Sequence, residues 1–332
     1  MRWLVPVLVL SAAAVGLPST AQQPAPAARQ EARIRVTEAG PVAFVAAGGQ
    51  LAVGVGQQLQ FFELSEPANP RDLATVELEG RPTALGVSDR ATLVAVSRGG
   101  PTDEIVVVAP DPYRRGEVGI LNSLQTSDAV THILVSPDNA WAVALSSSGY
   151  VMLRLSTPDV IESSALARTG SPPAAGALLN DALLLAQTGA PRIDRLPLRM
   201  NPTALSGSPG LDVAAPVLAL VVTPDGALAA AALENDELVL FDPTDMTRIA
   251  SVTLEDGPAA ALHVAQDGER RVLIVQIANR PAVMLLDITD PQNVPLPGSA
   301  GLGPGGSVSA TAASGGRFAL VGSDEILLFQ ID

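Results

Sequence analysis

The sequence predicts an all-β fold, a seven-bladed β-propeller closed by an N-terminal strand that completes the last blade. Three observations predict it. Gly/Pro turns recur, with full intervals of 41 to 44 residues; four short apolar runs follow a turn; and the last unit stops one strand short while a spare strand stands near the start. A period of ~40–45 residues with four strands per repeat is that of a propeller blade.

The turns are Gly40-Pro41, Gly80-Arg81-Pro82, Gly170-Ser171-Pro172, Gly257-Pro258 and Gly303-Pro304, with weaker openings at Ala129 and Pro216. Blades are therefore expected to start near residues 41, 82, 129, 172, 216, 258 and 304. The fifth unit carries the phrase whole: "VLALVVTPDG", "ALAAAALEN", "DELVLFD" and "TRIASVTL". Such runs are too short for helices and are bounded by Gly, Pro, Asp or Asn, as strands are. Continuous apolar runs suit strands covered on both faces, which stacked blades require.

The seventh unit ends in "SDEILLFQID" with only three strands. The stretch "EARIRVTEAGP" (Glu31 to Pro41) leaves through Glu38-Ala39-Gly40-Pro41, like the fourth-strand exit Glu255-Asp256-Gly257-Pro258. Pairing the two would close the ring and remove exposed sheet edges.

Residues 1–21 read as a secretory signal: Arg2, an apolar run from Trp3 to Val15, and small residues Ser19-Thr20-Ala21 before the expected cut. Residues 22–30, "QQPAPAARQ", read as a Pro/Ala linker, and 31–332 as a single propeller domain. The expected location is extracytoplasmic, periplasmic or secreted, with no integral membrane segment once the signal is removed. The chain has no cysteine, so the fold must stand without disulfides.

These residues resemble the WD-repeat-like and YVTN-type bacterial propellers, and more narrowly the LVIVD repeat. In that repeat an apolar strand runs into an Asp-Pro-x-Asn-Pro-like turn. "VMLLDITDPQNVP" (Val283 to Pro295) is the nearest match, then "LQFFELSEPANP" (Leu59 to Pro70). The resemblance implies a fold and no common catalytic set.

The formal charge of −14 argues against nucleic acid and anionic membranes as partners, since both demand a basic footprint. Catalytic signatures are absent: there is no HExxH and no Gly-x-Ser-x-Gly elbow, and "VGVGQQ" and "GLGPGG" open no helix. Asp242 with Asp245 and Asp287 with Asp290 read as turn caps, not calcium loops. Trp141, Tyr113 and Tyr150 are too few and dispersed for a stacking platform. No metal and no cofactor is expected.

Two groups of residues remain. His132 and His263, the only histidines, fall on equivalent first strands of blades three and six and are channel candidates, although most first-strand positions pack between blades. Glu79, Asp103, Glu104, Asp236, Glu237, Glu255, Asp324 and Glu325 fall on the face that carries the blade connections. They suggest an acidic surface for a partner, protein or small ligand, of cationic character. The reading is a monomeric, non-catalytic binding scaffold, with a lactonase-like or metal-dependent propeller hydrolase using His132 or His263 as the alternative.

Overall fold

The computed structural model describes residues 25–45, 48–88, 92–108, 119–157, 160–200, 208–302 and 307–332, and every regular element in them is a strand. The expected signal, the seventh opening at Pro304 and Tyr113 lie outside these residues.

The strands form seven antiparallel sheets. A leading strand, β1 (Ala28–Arg35), precedes blade one, which is β2 (Ala39–Val45), β3 (Gln50–Val55), β4 (Gln58–Glu63) and β5 (Arg71–Glu77). Blade two is β6 (Arg81–Val87), β7 (Thr92–Ser97), β8 (Asp103–Val108) and β9 (Ile120–Gln125). Blade three is β10 (Val130–Val135), β11 (Trp141–Ser146), β12 (Gly149–Thr157) and β13 (Val160–Ser163), with the short β14 (Ala167–Arg168) also paired to β12. Blade four is β15 (Pro173–Leu178), β16 (Ala182–Gln187), β17 (Arg192–Pro197) and β18 (Gly210–Asp212). Blade five is β19 (Val217–Val222), β20 (Ala229–Leu233), β21 (Glu237–Asp242) and β22 (Thr247–Thr253). Blade six is β23 (Ala259–Asp267), β24 (Arg270–Ile277), β25 (Ala282–Asp287) and β26 (Gly298–Gly301). Blade seven is β27 (Ala310–Ser314), β28 (Arg317–Val321) and β29 (Glu325–Ile331), completed by β1.

The ring closes as the strand count requires. Ile34 of β1 pairs with Ile326 of β29, and the register runs from Ala28 opposite Ile331 to Arg35 opposite Glu325. The strand starts at Ala28, inside the stretch read as linker. Ahead of it Pro26 is buried, and a Cβ on Gly298 of β26 would sit 1.8 Å from the Pro26 carbonyl, so only glycine admits this crossing.

The core is not central but lies between blades. Seven apolar clusters each join one pair of neighbours: one and two, two and three, and so on round to seven and one. This explains the alanine in the second strands. Ala52, Ala95, Ala144, Ala186, Ala231 and Ala319 are all at most 2% exposed, and their small side chains let neighbouring sheets approach closely.

One backbone hydrogen bond recurs in all seven blades and ties the end of the fourth strand to the start of the third. Val36, Leu78, Thr126, Thr169, Val213, Leu254 and Leu302 donate to the carbonyls of Asp324, Gln57, Asp103, Ser148, Pro191, Asp236 and Pro281. Blade seven obeys the rule only because β1 supplies Val36.

The "SPDN" and "TPDG" phrases make one turn. Thr223 Oγ1 donates to Asp225 Oδ1 at 2.6 Å and accepts the Leu228 N–H at 3.0 Å, and Asp225 accepts the Ala227 N–H at 3.1 Å. Ser136, Asp138, Ala140 and Trp141 repeat this set at 2.6, 3.1 and 3.0 Å. Burial pushes the Asp225 carboxyl up, but bonds from Thr223, Ala227 and Arg271 outweigh it and hold the group below its ordinary value. Thr223 is 1% exposed. Thr223→Val should therefore strand the Leu228 N–H without a partner and cost about 2 kcal/mol in denaturant unfolding. The same swap at exposed Thr244 should cost nothing measurable.

Blade four has a fourth strand of only three residues, and a guanidinium reinforces it. Arg192 Nε meets Asp194 Oδ1 at 2.9 Å, Nη1 meets Asp212 Oδ1 at 2.7 Å, and Nη2 donates to the Ser208 carbonyl at 3.1 Å. The turn-capping role of the aspartates also appears: Asp242 and Asp287 accept the N–H groups of Thr244 and Thr289, two residues on.

Candidate functional site

The seven innermost strands enclose a central channel with a cavity volume of about 1000 Å³. Its wall has a repeated irregularity. In β6, β10, β15, β19 and β23 the register slips past one residue, leaving Thr83, Thr131, Ala174, Leu218 and Ala260 bulged at equivalent positions, and all five line the channel. A bulge re-aims the strand that carries it.

Both histidines line this channel. His132 pairs with Leu145 directly after the bulge, at the position that Ala84, Ala175, Ala219 and Ala261 occupy in their blades. Ala84, Ala175 and Ala219 are buried, whereas His132 is exposed to the lumen. An imidazole does not fit a gap that alanine fills, so it turns to the open side. His263 stands two positions further along its strand, where blade three has Leu134, and is half-buried. Blades three and six stand nearly opposite in the ring of seven.

Surrounding protein replaces water that would solvate a charged imidazole. Burial lowers His132 below its ordinary value and brings His263 down to about 4, so both are neutral near pH 7. No Asp, Glu or Arg is among the described residues that line the channel. The remaining polar wall is hydroxyl and amide. Thr83 Oγ1 donates to the Ala95 carbonyl at 3.3 Å and Thr131 Oγ1 to the Leu145 carbonyl at 3.2 Å. Thr311 Oγ1 donates to Gln276 Oε1 at 3.1 Å, and Gln276 Nε2 donates to the Val308 carbonyl at 3.0 Å.

The eight acids take different roles. Asp103 is 2% exposed, and its Oδ2 accepts the Val130 N–H at 2.8 Å, clamping blade two to blade three. Arg98 Nη2 bridges Glu79 at 2.6 Å and the buried Glu104 at 2.5 Å. Glu237 pairs with Arg248 at 2.5 Å and Glu325 with Arg33 at 3.0 Å. Asp236, Glu255 and Asp324 have no ion pair among the described residues. Asp236 sits at φ 63° in the loop before β21, and its carbonyl accepts the N–H of Leu254, so Glu255 lies beside it on blade five.

The bulge threonines were missed by pattern reading. Their signal was present, since "PTA" and "VTH" fall at one phase of the repeat, but a bulge is invisible until the strands are paired. No protein-family model matches the sequence, and no curated protein matches it.

Proposed function

We propose that this propeller is a non-catalytic, extracytoplasmic binding module built from LVIVD/YVTN-like repeats, holding a small ligand or a protein segment at its central channel. The uncharged lining of that channel among the described residues, in a chain of charge −14, is the observation that carries the reading. A charge seated there would meet no counter-charge and would lose hydration without return. Hydrolysis through a covalent intermediate needs a side-chain nucleophile held against its base. Thr131, the hydroxyl next to His132, spends its hydrogen on a backbone carbonyl instead. A cationic group on a protein partner has Asp236, Glu255 and Asp324 available on the connection face.

The chain has no lysine, so the secreted protein can be immobilised through its α-amine alone. Capture from its own envelope extract should retain a specific molecule or protein. Asp236→Asn with Glu255→Gln and Asp324→Asn should weaken retention of a cationic protein partner. Nothing retained above a blocked resin, or turnover of 4-nitrophenyl acetate lost on removing both histidines, would overturn the proposal.

A further inference from the structure

We infer that the channel selects an uncharged, largely apolar small molecule carrying one hydroxyl or N–H donor, and that Nε2 of His132 is the acceptor that recognises it. The inference rests on reading the channel as the binding site and adds the chemical class of its occupant.

The argument is one of hydrogen counting. Thr131 Oγ1 lies 3.2 Å from the Leu145 carbonyl and 3.2 Å from Nδ1 of His132. A hydroxyl has one hydrogen, and a carbonyl can only accept. In blade two the equivalent Thr83 is followed by Ala84, with no imidazole, and still donates to the matching carbonyl of Ala95. The bond to the carbonyl therefore belongs to the bulge and not to the histidine. Thr131 is committed in the same way, so Nδ1 must donate to it. A neutral imidazole protonated on Nδ1 carries its lone pair on Nε2. That nitrogen has no partner among the described residues, and its ring is exposed to the lumen.

The rest of the wall sets the class. Ala174, Gly176 and Leu218 present apolar surface. A volume of about 1000 Å³ lies at the upper end of small-molecule sites. Thr83 and Thr311 spend their single hydrogens within the protein and Gln276 spends one of its two there, so these groups offer a ligand few donors, while His132 adds an exposed imidazole acceptor to the wall.

Two measurements test this on the purified full-length secreted protein. With only two histidines, long-range 1H–15N spectra resolve both rings, and His132 should be protonated on Nδ1. Fluorescence titration at pH 7.5 should show 2-naphthol binding about five-fold tighter than 2-methoxynaphthalene, which keeps the rings but has no donor. 2-Naphthoate should not compete. His132→Ala, which installs the residue of four other blades, should abolish the preference, and His263→Leu should keep it. Equal binding of the two naphthalenes, no binding of either, tightest binding of the naphthoate, or protonation on Nε2 would each overturn the inference. Its failure is separable from that of the binding-module proposal, because envelope capture can still retain a protein partner when the naphthalenes do not bind.

Discussion

Deleting Ala28–Val36 should destabilise the whole ring, lowering the melting temperature by about 10 °C or more. Ala32, Ile34 and Val36 are each 7% exposed and belong to the cluster that joins blades seven and one. Fully burying an Ile or Val side chain is worth about 1.5–3 kcal/mol. With the lost ladder to β29, the deletion removes on the order of 5 kcal/mol from a fold whose total stability is about 5–15 kcal/mol. It also uncovers Ile326 and Leu328 on a new sheet edge. Ile34→Ala alone should cost about 2–4 kcal/mol in urea unfolding. Leu296→Ala, at a side chain 64% exposed, should cost almost nothing. A deletion variant that melts like the parent would refute closure by β1.

The second large effect is on the acid side. His263 has its folded pKa depressed to about 4 from an ordinary 6.5. Between those values the unfolded chain binds a proton that the ring resists, so stability falls as pH drops below 6.5 and this loss is complete near pH 4. The shift corresponds to about 3 kcal/mol at most, and roughly 2 once lumen water is allowed for. His132, lowered by the same cause, adds to the loss. Asp225 titrates below its ordinary 3.8 and so leaves this window clear. His263→Leu places on β23 the residue that β10 carries as Leu134, and should flatten stability between pH 6.5 and 4. An unchanged slope in urea midpoints across that range would refute the assignment.

How much of this could be read from the chain follows from the range of each interaction. The seven units were legible because their signals are local. A Gly or Pro turn, a Thr-Pro-Asp-Gly cap and a four-to-eight-residue apolar run each depend on neighbours within about ten residues. Closure was legible too, because the count of strands left one short at the end and one over at the start. The start of β1 at Ala28 was not, since Ala28, Arg29 and Gln30 become strand only through Ile331, Gln330 and Phe329 at the far end of the chain.

The site was only partly legible. Composition named the two histidines, and repeat phase put them on equivalent strands. Their direction was decided in three dimensions: an alanine-sized gap between blades, next to a bulge, sends His132 into the lumen. The acids were sorted in the same way. Asp103 and Glu104 share a phrase with Asp236-Glu237, yet the first pair is buried at a blade junction while Glu237 meets Arg248 and Asp236 caps a loop. Repetition along the chain by itself determined the ring, because each blade is specified by its own short-range pattern. Only the tertiary structure decided the channel wall and the pairing of charges, because those depend on which side chains from distant blades have room to meet.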